Sequence, residues 1–301
     1  MEWMDRSSAT ATQTSDRPAA PLENSSVKPE VSPRSMRLMI AGWAIQALRY
    51  LPKLATLVVL VAIWQFTSTV WLPRIDPYRA VLMPAPSVVA KTAGLMIVSG
   101  ELGYHLLASL KREGVAFLFA LAAVPLGLFM GWFRLIHAQL DPVIEVLRPI
   151  PPLAWIPLSI LWFGIGDEQN EFIIFLGMVF PILINTIDGV RKVERNLVRA
   201  ARSLGASEYS VLTRVVLQAA LPQIVTGIRI GLGVGWMALV AAELVGASSG
   251  LGFLINDARS VLRTDIIVVG MLTIGIVGLS IDLALRDTAR RLLPWSAQQS
   301  E

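Results

Sequence analysis

The sequence predicts an all-α integral membrane protein with about six transmembrane helices. Three observations carry that expectation. Of 301 residues, 54% are hydrophobic and only 16% charged, too apolar a composition to cover a soluble domain of this size. The mean hydropathy is +0.60, which suits a bilayer as solvent. The apolar residues are also grouped into stretches of ~20, the length that crosses a hydrocarbon core, separated by charges and turn residues.

The elements follow in chain order. Residues 1–36 are rich in Ser, Thr, Pro and Ala and read as a disordered cytoplasmic tail, because they bury too little to offset the entropy of ordering. They lack the apolar centre of a signal peptide. Residues 37–301 form the transmembrane domain. Its first span is 54–72, preceded by Arg34, Arg37, Arg49 and Lys53, so its start is expected in the cytoplasm. Residues 73–112 contain an amphipathic run from Val88 to Leu110 and read as an external loop with one interfacial helix. Five further spans are expected at 113–133, 143–163, 171–190, 223–245 and 265–285. Both termini then lie in the cytoplasm, with Arg286, Arg290 and Arg291 following the last span. The segment 191–222 lies on the same face.

That segment is polar and helical in period. It reads as one helix over 193–204, a left-handed C′ residue at Gly205, and a second helix capped by Ser207 with Glu208 in its first turn. The product is a protruding elbow suited to docking a soluble partner, with an ordinary amphipathic linker as the plain alternative.

Within the spans, Pro149, Pro151 and Pro152 break a helix at membrane depth, which is tolerated where protein or water lines the break. Glu145 and Arg148 stand at i and i+3 beside it and are expected to neutralise each other, either as a structural pair or as a gate facing the pathway. Gly227, Gly231 and Gly235 form a small-residue stripe that lets another helix approach closely. Glu243 follows a long apolar run and needs a polar neighbour, unwound backbone or water. Trp155, Trp162 and Trp236 could close a pore by steric contact or simply pack. His105 and His137 read as packing or interfacial residues rather than metal ligands.

With no cysteine in the chain, disulfides and thiol chemistry are excluded. No Gly-x-x-x-x-Gly-Lys-Ser/Thr loop occurs to cradle a nucleotide phosphate, and Gly231, Gly233 and Gly235 lack dinucleotide spacing. A self-sufficient ion-coupled transporter or channel is the alternative, but it would need more intramembrane acids or histidines than Glu145 and Glu243.

The elbow resembles the internal loop of the binding-protein-dependent permeases of ABC importers. Their pattern is Glu-Ala-Ala, three residues, Gly, nine residues, Ile, one residue, Leu-Pro. Here Arg199, Ala200, Ala201, Gly205, Val215 and Leu217 fall at that spacing. Arg199 replaces the acid, Val215 the Ile, and Gln218 the Pro, with a second Leu-Pro at Leu221 and Pro222. The stretches 141–166 and 226–255 are similar to the nitrate, aliphatic sulfonate and taurine branch. The resemblance implies a type I importer permease fold in a bacterial cytoplasmic (inner) membrane. It implies a second copy of the permease, two ATPase subunits that hold ATP and Mg, and an external solute-binding protein that selects a small anion. No cofactor, catalytic residue, metal or nucleic-acid partner is expected for this chain. The ATPase-coupling residues it implies are Arg199, Ala200, Ala201, Gly205, Ala206, Ser207, Glu208 and Leu217. Candidates for the translocation pathway or gate are Glu145, Arg148, Trp155, Trp162, Trp236 and Glu243.

Overall fold

The computed structural model describes residues 55–76 and 82–292. The expected tail, the first residue of the first span and the basic residues before it lie outside the described residues. Among the described residues, every regular element is a helix.

Helix α1 (Ala55–Ile75) is one of five helices long and apolar enough to cross a bilayer. It ends where Asp76 turns extended, at φ −149°. Helix α2 (Pro86–Val98) opens on a proline at its first position, where the missing N–H costs nothing. The run from Val88 to Leu110, expected as one interfacial helix, is divided. Gly100 takes φ +80° and separates α2 from α3 (Glu101–Ala120), a conformation that only glycine adopts without strain.

Helices α3 and α4 (Ala123–Trp132) together make one apolar helix, Glu101–Trp132. It therefore starts at Glu101 rather than at the expected 113. Arg112 and Glu113, which suggested a boundary, are buried inside the helix because neighbouring helices cover them. Helix α5 (Arg134–Leu147) and helix α6 (Ile156–Phe163) are joined through a 3₁₀ turn at Pro152–Trp155. The two arms are bent by 83°, as the prolines predict, but the first arm begins at Arg134, so the span expected at 143–163 covers only the break, the second arm and the end of the first. The proline cluster accounts for the bend, since Pro151 is extended at ψ 141° and prolines cannot continue the hydrogen-bond ladder. Counting the bent pair as one crossing gives six.

Helix α7 (Asp167–Arg191) is the centre of the packing, with Ile173, Ile174, Met178 and Ile182 fully buried. Helices α8 (Arg195–Ser203) and α9 (Glu208–Gly246) follow, then α10 (Leu251–Ser260) and α11 (Thr264–Leu292). The expected division at Pro222 and 223 is absent, because α9 runs unbroken through its 39 residues. Pro222 is accommodated in a well-packed stretch: Ala220 and Ile224 are buried, and a Cβ at Gly189 of α7 would lie 2.8 Å from Gln223 Cβ.

The glycine stripe forms the expected seam. A Cβ at Gly227 would lie 2.6 Å from Asn185 Cβ, and one at Gly231 would lie 2.9 Å from Ile182 Cγ1. At Gly235 it would enter the Met178 side chain. Gly127 and Gly131 bring α4 onto the opposite flank of α7 in the same way, against Thr186 and Val190. These contacts leave no room for a methyl group, so the absence of side chains sets the helix spacing. Large apolar residues such as Leu118, Leu161 and Ile276 remain exposed around this core, as a lipid-facing surface requires.

Candidate functional site

The elbow is built as its sequence dictates. Helix α8 ends at Leu204, and Gly205 follows at φ +83°. Gly205 N–H donates to Arg202 O at 3.0 Å and Ala206 N–H donates to Ala201 O at 3.1 Å, the paired bonds of a Schellman ending. Ser207 Oγ then accepts the Ser210 N–H at 3.3 Å and caps α9. Nothing lies within 4 Å of a Cβ placed on Gly205, so the positive φ alone demands glycine here.

Arg202 closes the turn by gripping Glu208 with two nitrogens, at 2.8 and 2.9 Å, while its guanidinium carbon sits 5.8 Å from the Trp132 ring centre. Ala201, Ala206 and Leu217 pack inward against Val190, Val211, Val216 and Ala220. Arg199 and Ala200 face outward, beside Leu204 at 89% and Tyr209 at 77% exposure. The elbow therefore has an anchored inner face and an exposed outer one on which Arg199 and Ala200 stand with Leu204 and Tyr209. Its second helix is the beginning of α9 itself.

The pathway candidates are not brought together into one site. Glu145 and Arg148 form no ion pair; both are exposed, and Arg148 instead lines a groove with Leu176, Gly177, Phe180 and Val234. An exposed i, i+3 pair gains too little to hold two side chains in one geometry, so the mutual neutralisation expected from spacing is corrected. Trp155 and Trp162 lie 6.4 Å apart between ring centres and cluster with Phe163 and Phe172. Trp236 is buried, donates Nε1–H to Ile274 O at 3.2 Å, and seats against Gly278, tying α9 to α11.

Glu243 is fully enclosed, and the neighbour it required is Arg112. Arg112 Nη1 donates to Glu243 Oε1 at 2.7 Å and to Ser249 O at 2.7 Å. Its Nη2 reaches Ser249 Oγ at 2.9 Å and Asp167 Oδ1 at 2.7 Å, and Nε reaches Asp167 Oδ1 at 2.8 Å. Each of the three guanidinium nitrogens is thereby hydrogen-bonded to protein. Glu243 also accepts from Ser109 Oγ at 2.8 Å and from the Gly252 N–H at 2.9 Å. Gly250, at φ +109°, leaves the space that the carboxylate fills. This cluster joins α3, the start of α7, the end of α9 and the loop before α10.

His105 packs beside that loop and accepts the Gly250 N–H on Nδ1 at 3.1 Å. His137 has an acidic companion that spacing alone should have revealed, since Nε2 lies 3.5 Å from Asp141 one turn on. No group of three or more potential metal-binding side chains occurs among the described residues.

Several charged residues have greater structural consequence than the sequence suggested. Arg112 and Asp167 complete the Glu243 cluster, and Glu113 is buried at 4% exposure with neither carboxyl oxygen hydrogen-bonded. In α9, Arg229 Nε donates to Asp282 Oδ1 of α11 at 2.7 Å. A charge inside an apolar run was the available signal for Arg229. Its partner, 53 residues away, had no local one.

Residues 123–293 match the family described as binding-protein-dependent transport system inner membrane component. The chain is 41% identical over 253 residues to the taurine transport system permease protein of Escherichia coli (strain K12), covering 81% of this chain and 90% of that one. It is 31% identical over 264 residues to the nitrate import permease protein of Leptolyngbya laminosa, covering 87% and 94% respectively. Among solved structures, the inward-facing MetNI methionine ABC transporter superposes with a TM-score of 0.55 at 20% identity, over 62% of this chain and 93% of that one. That last likeness is one of fold.

Proposed function

The chain belongs to the binding-protein-dependent inner membrane components of ABC transporters, and from that premise we propose that it is the permease through which a small oxyanion, such as taurine, another sulfonate or nitrate, enters the cytoplasm. The relatives named for taurine and nitrate support this class of solute. The energy comes from ATP and Mg bound by two separate ATPase subunits, which act on a pair of permease copies. An external binding protein delivers the solute, and the elbow end of α9 and both chain termini face the cytoplasm.

One observation carries the mechanism: the capped turn at Gly205 leads without a break into α9, and α9 is keyed to α7 by the glycine seam. An ATPase groove closing over Ala200, Leu204 and Tyr209 would push on a rod rather than on a loop. The movement reaches the spans as a rigid-body shift, which is how alternating access is driven.

Gly205→Val tests this. A β-branched residue at positive φ costs ~1–2 kcal/mol or more, confined to the turn. The variant is expected to insert and to survive purification, yet to co-purify with less ATPase and to lose uptake in reconstituted vesicles. Unchanged ATPase association together with unchanged uptake refutes the coupling assignment.

A further inference from the structure

A groove of about 810 Å³ runs between α9 and α11, and its lining includes Arg229, Gly233, Met237, Asp282, Arg286 and Arg290. Asp282 holds two of the three cations, Arg229 Nε on Oδ1 at 2.7 Å and Arg286 Nη2 on Oδ2 at 2.9 Å. One carboxylate therefore faces three guanidiniums, and the groove keeps an excess of positive charge. Nor is that charge closed off: the Arg229 side chain is 40% exposed and that of Arg286 50%. Val234 lines this groove and also the smaller one that contains Arg148, which adds a fourth cation beside the same stretch of helix.

Arg229 lies 17 residues before the Gly246 end of α9, or ~25 Å along a helix axis, which in a hydrocarbon core of ~30 Å sets it inside the span but toward its elbow end. Charges at such depth are not left facing lipid tails; they face water or protein. An arginine held through Nε alone still presents its two Nη groups, a planar fork that fits the paired oxygens of sulfonate, nitrate or phosphate. The neighbouring carboxylate weakens the hold on such an anion. A group that must be released again needs binding of that moderate kind.

We propose that Arg229, positioned by Asp282 and assisted by Arg286, is an oxyanion subsite that the solute occupies on its way through the permease. The proposal rests on the permease reading above and adds the residues that meet the solute. The same chemistry would receive a phospholipid headgroup, and the experiment separates the two sources.

The chain has no cysteine, and a Cβ at Gly233 meets nothing within 4 Å, so Gly233→Cys supplies a single reporter thiol in the groove. The complete complex is placed in vesicles of neutral phosphatidylcholine and labelled with a sulfonate-bearing and a trimethylammonium-bearing thiosulfonate reagent. Relative to a free thiol, the anionic reagent should be favoured by about tenfold. Adding Arg229→Gln and Arg286→Gln together should bring the preference back to within about twofold of the free thiol, because Asp282 then faces Arg290 alone and the lining carries no net excess of positive charge. Taurine, ethanesulfonate or nitrate should slow the labelling in the parent and not in the triple variant.

A preference unaffected by the two substitutions overturns the proposal, as does a thiol that neither reagent reaches. Slowing by phosphatidylglycerol in the vesicle, with no effect of the three solutes, assigns the groove to a headgroup and overturns it equally. ATP hydrolysis stimulated by the loaded binding protein reports on the permease reading separately. A complex that hydrolyses normally but shows no charge preference loses the subsite alone.

Discussion

Besides the Arg202–Glu208 pair at its elbow end, helix α9 takes part in two arginine–carboxylate arrangements, and they are built differently. At its Gly246 end, Glu243 and Arg112 are both almost fully buried, and every guanidinium nitrogen has a hydrogen-bond acceptor. Midway along, Arg229 and Asp282 are partly exposed and bonded through one nitrogen. The first arrangement exchanges hydration for a complete set of protein partners and can tolerate no rearrangement, because each broken bond would strand a buried charge. The second keeps contact with solvent and can exchange partners cheaply. A satisfied intramembrane charge joins helices; an incompletely satisfied one is free to meet something that passes.

The largest effect is expected at the first arrangement. Arg112→Ala leaves Glu243 enclosed without its cation, a loss of ~3–5 kcal/mol. The protein should fail to accumulate or should unfold at markedly lower temperature in detergent, as read by size-exclusion chromatography after heating. Full recovery of stability in Arg112→Ala, with Glu243 unchanged, would contradict the cluster's role as a junction.

Next comes the seam. Gly231→Leu places a side chain where the Ile182 side chain and the Met178 carbonyl already stand, an overpacking of ~1–3 kcal/mol or more. Gly233→Leu, two residues on but with open space around it, is expected within ~0.5 kcal/mol of the parent. Equal losses at the two positions would mean that the close approach at Gly231 does not determine stability there.

Smaller still is the stability change expected for Arg229→Gln, ~0–1 kcal/mol, because the pair is part-exposed. Its effect should fall on uptake, so transport and melting temperature are to be measured on the same preparation. A melting-temperature loss matching that of Arg112→Ala would erase the contrast between the two arrangements. Least of all should follow from Glu145→Gln, which removes no ion pair; a change in stability beyond ~0.5 kcal/mol would show that the exposed carboxylate has a partner elsewhere.

What the sequence could reveal depended on the range over which each feature is determined. The elbow was legible because a left-handed glycine, a serine cap and an acidic first turn act within a few residues of one another. The glycine stripe was legible because i, i+4 periodicity places residues on one face whatever lies opposite. Apolar length pointed to about six spans, against five long helices and one bent pair, but their limits were misplaced wherever charge was taken as a boundary. Arg112 and Glu113 lie inside a helix because α7 and α9 cover them, and no property of residues 101–132 says so. The boundary expected between 222 and 223 is absent because a proline within a packed membrane helix loses only one donor.

The partners of Glu243 and Arg229 were the part most thoroughly hidden. Arg112 is 131 residues from Glu243, and Asp282 is 53 from Arg229; only packing brings them together. Glu145 and Arg148 failed in the opposite way. Their spacing allowed a contact that exposed side chains had no energetic reason to keep.

The unbroken course of α9 also fixes an angular relation along the chain. With 3.6 residues per turn, each residue added to a helix rotates everything beyond it by ~100°. One alanine inserted between Leu217 and Gly227 would leave the elbow intact and the glycine seam intact, yet turn the outer face of the elbow a quarter-circle or more away from its present bearing on the spans. Four inserted residues would bring the bearing back to within ~40° and lengthen the stalk. A docking partner that reads orientation would accept the longer insertion more readily than the shorter one, so the elbow and the seam work together by phase as well as by sequence.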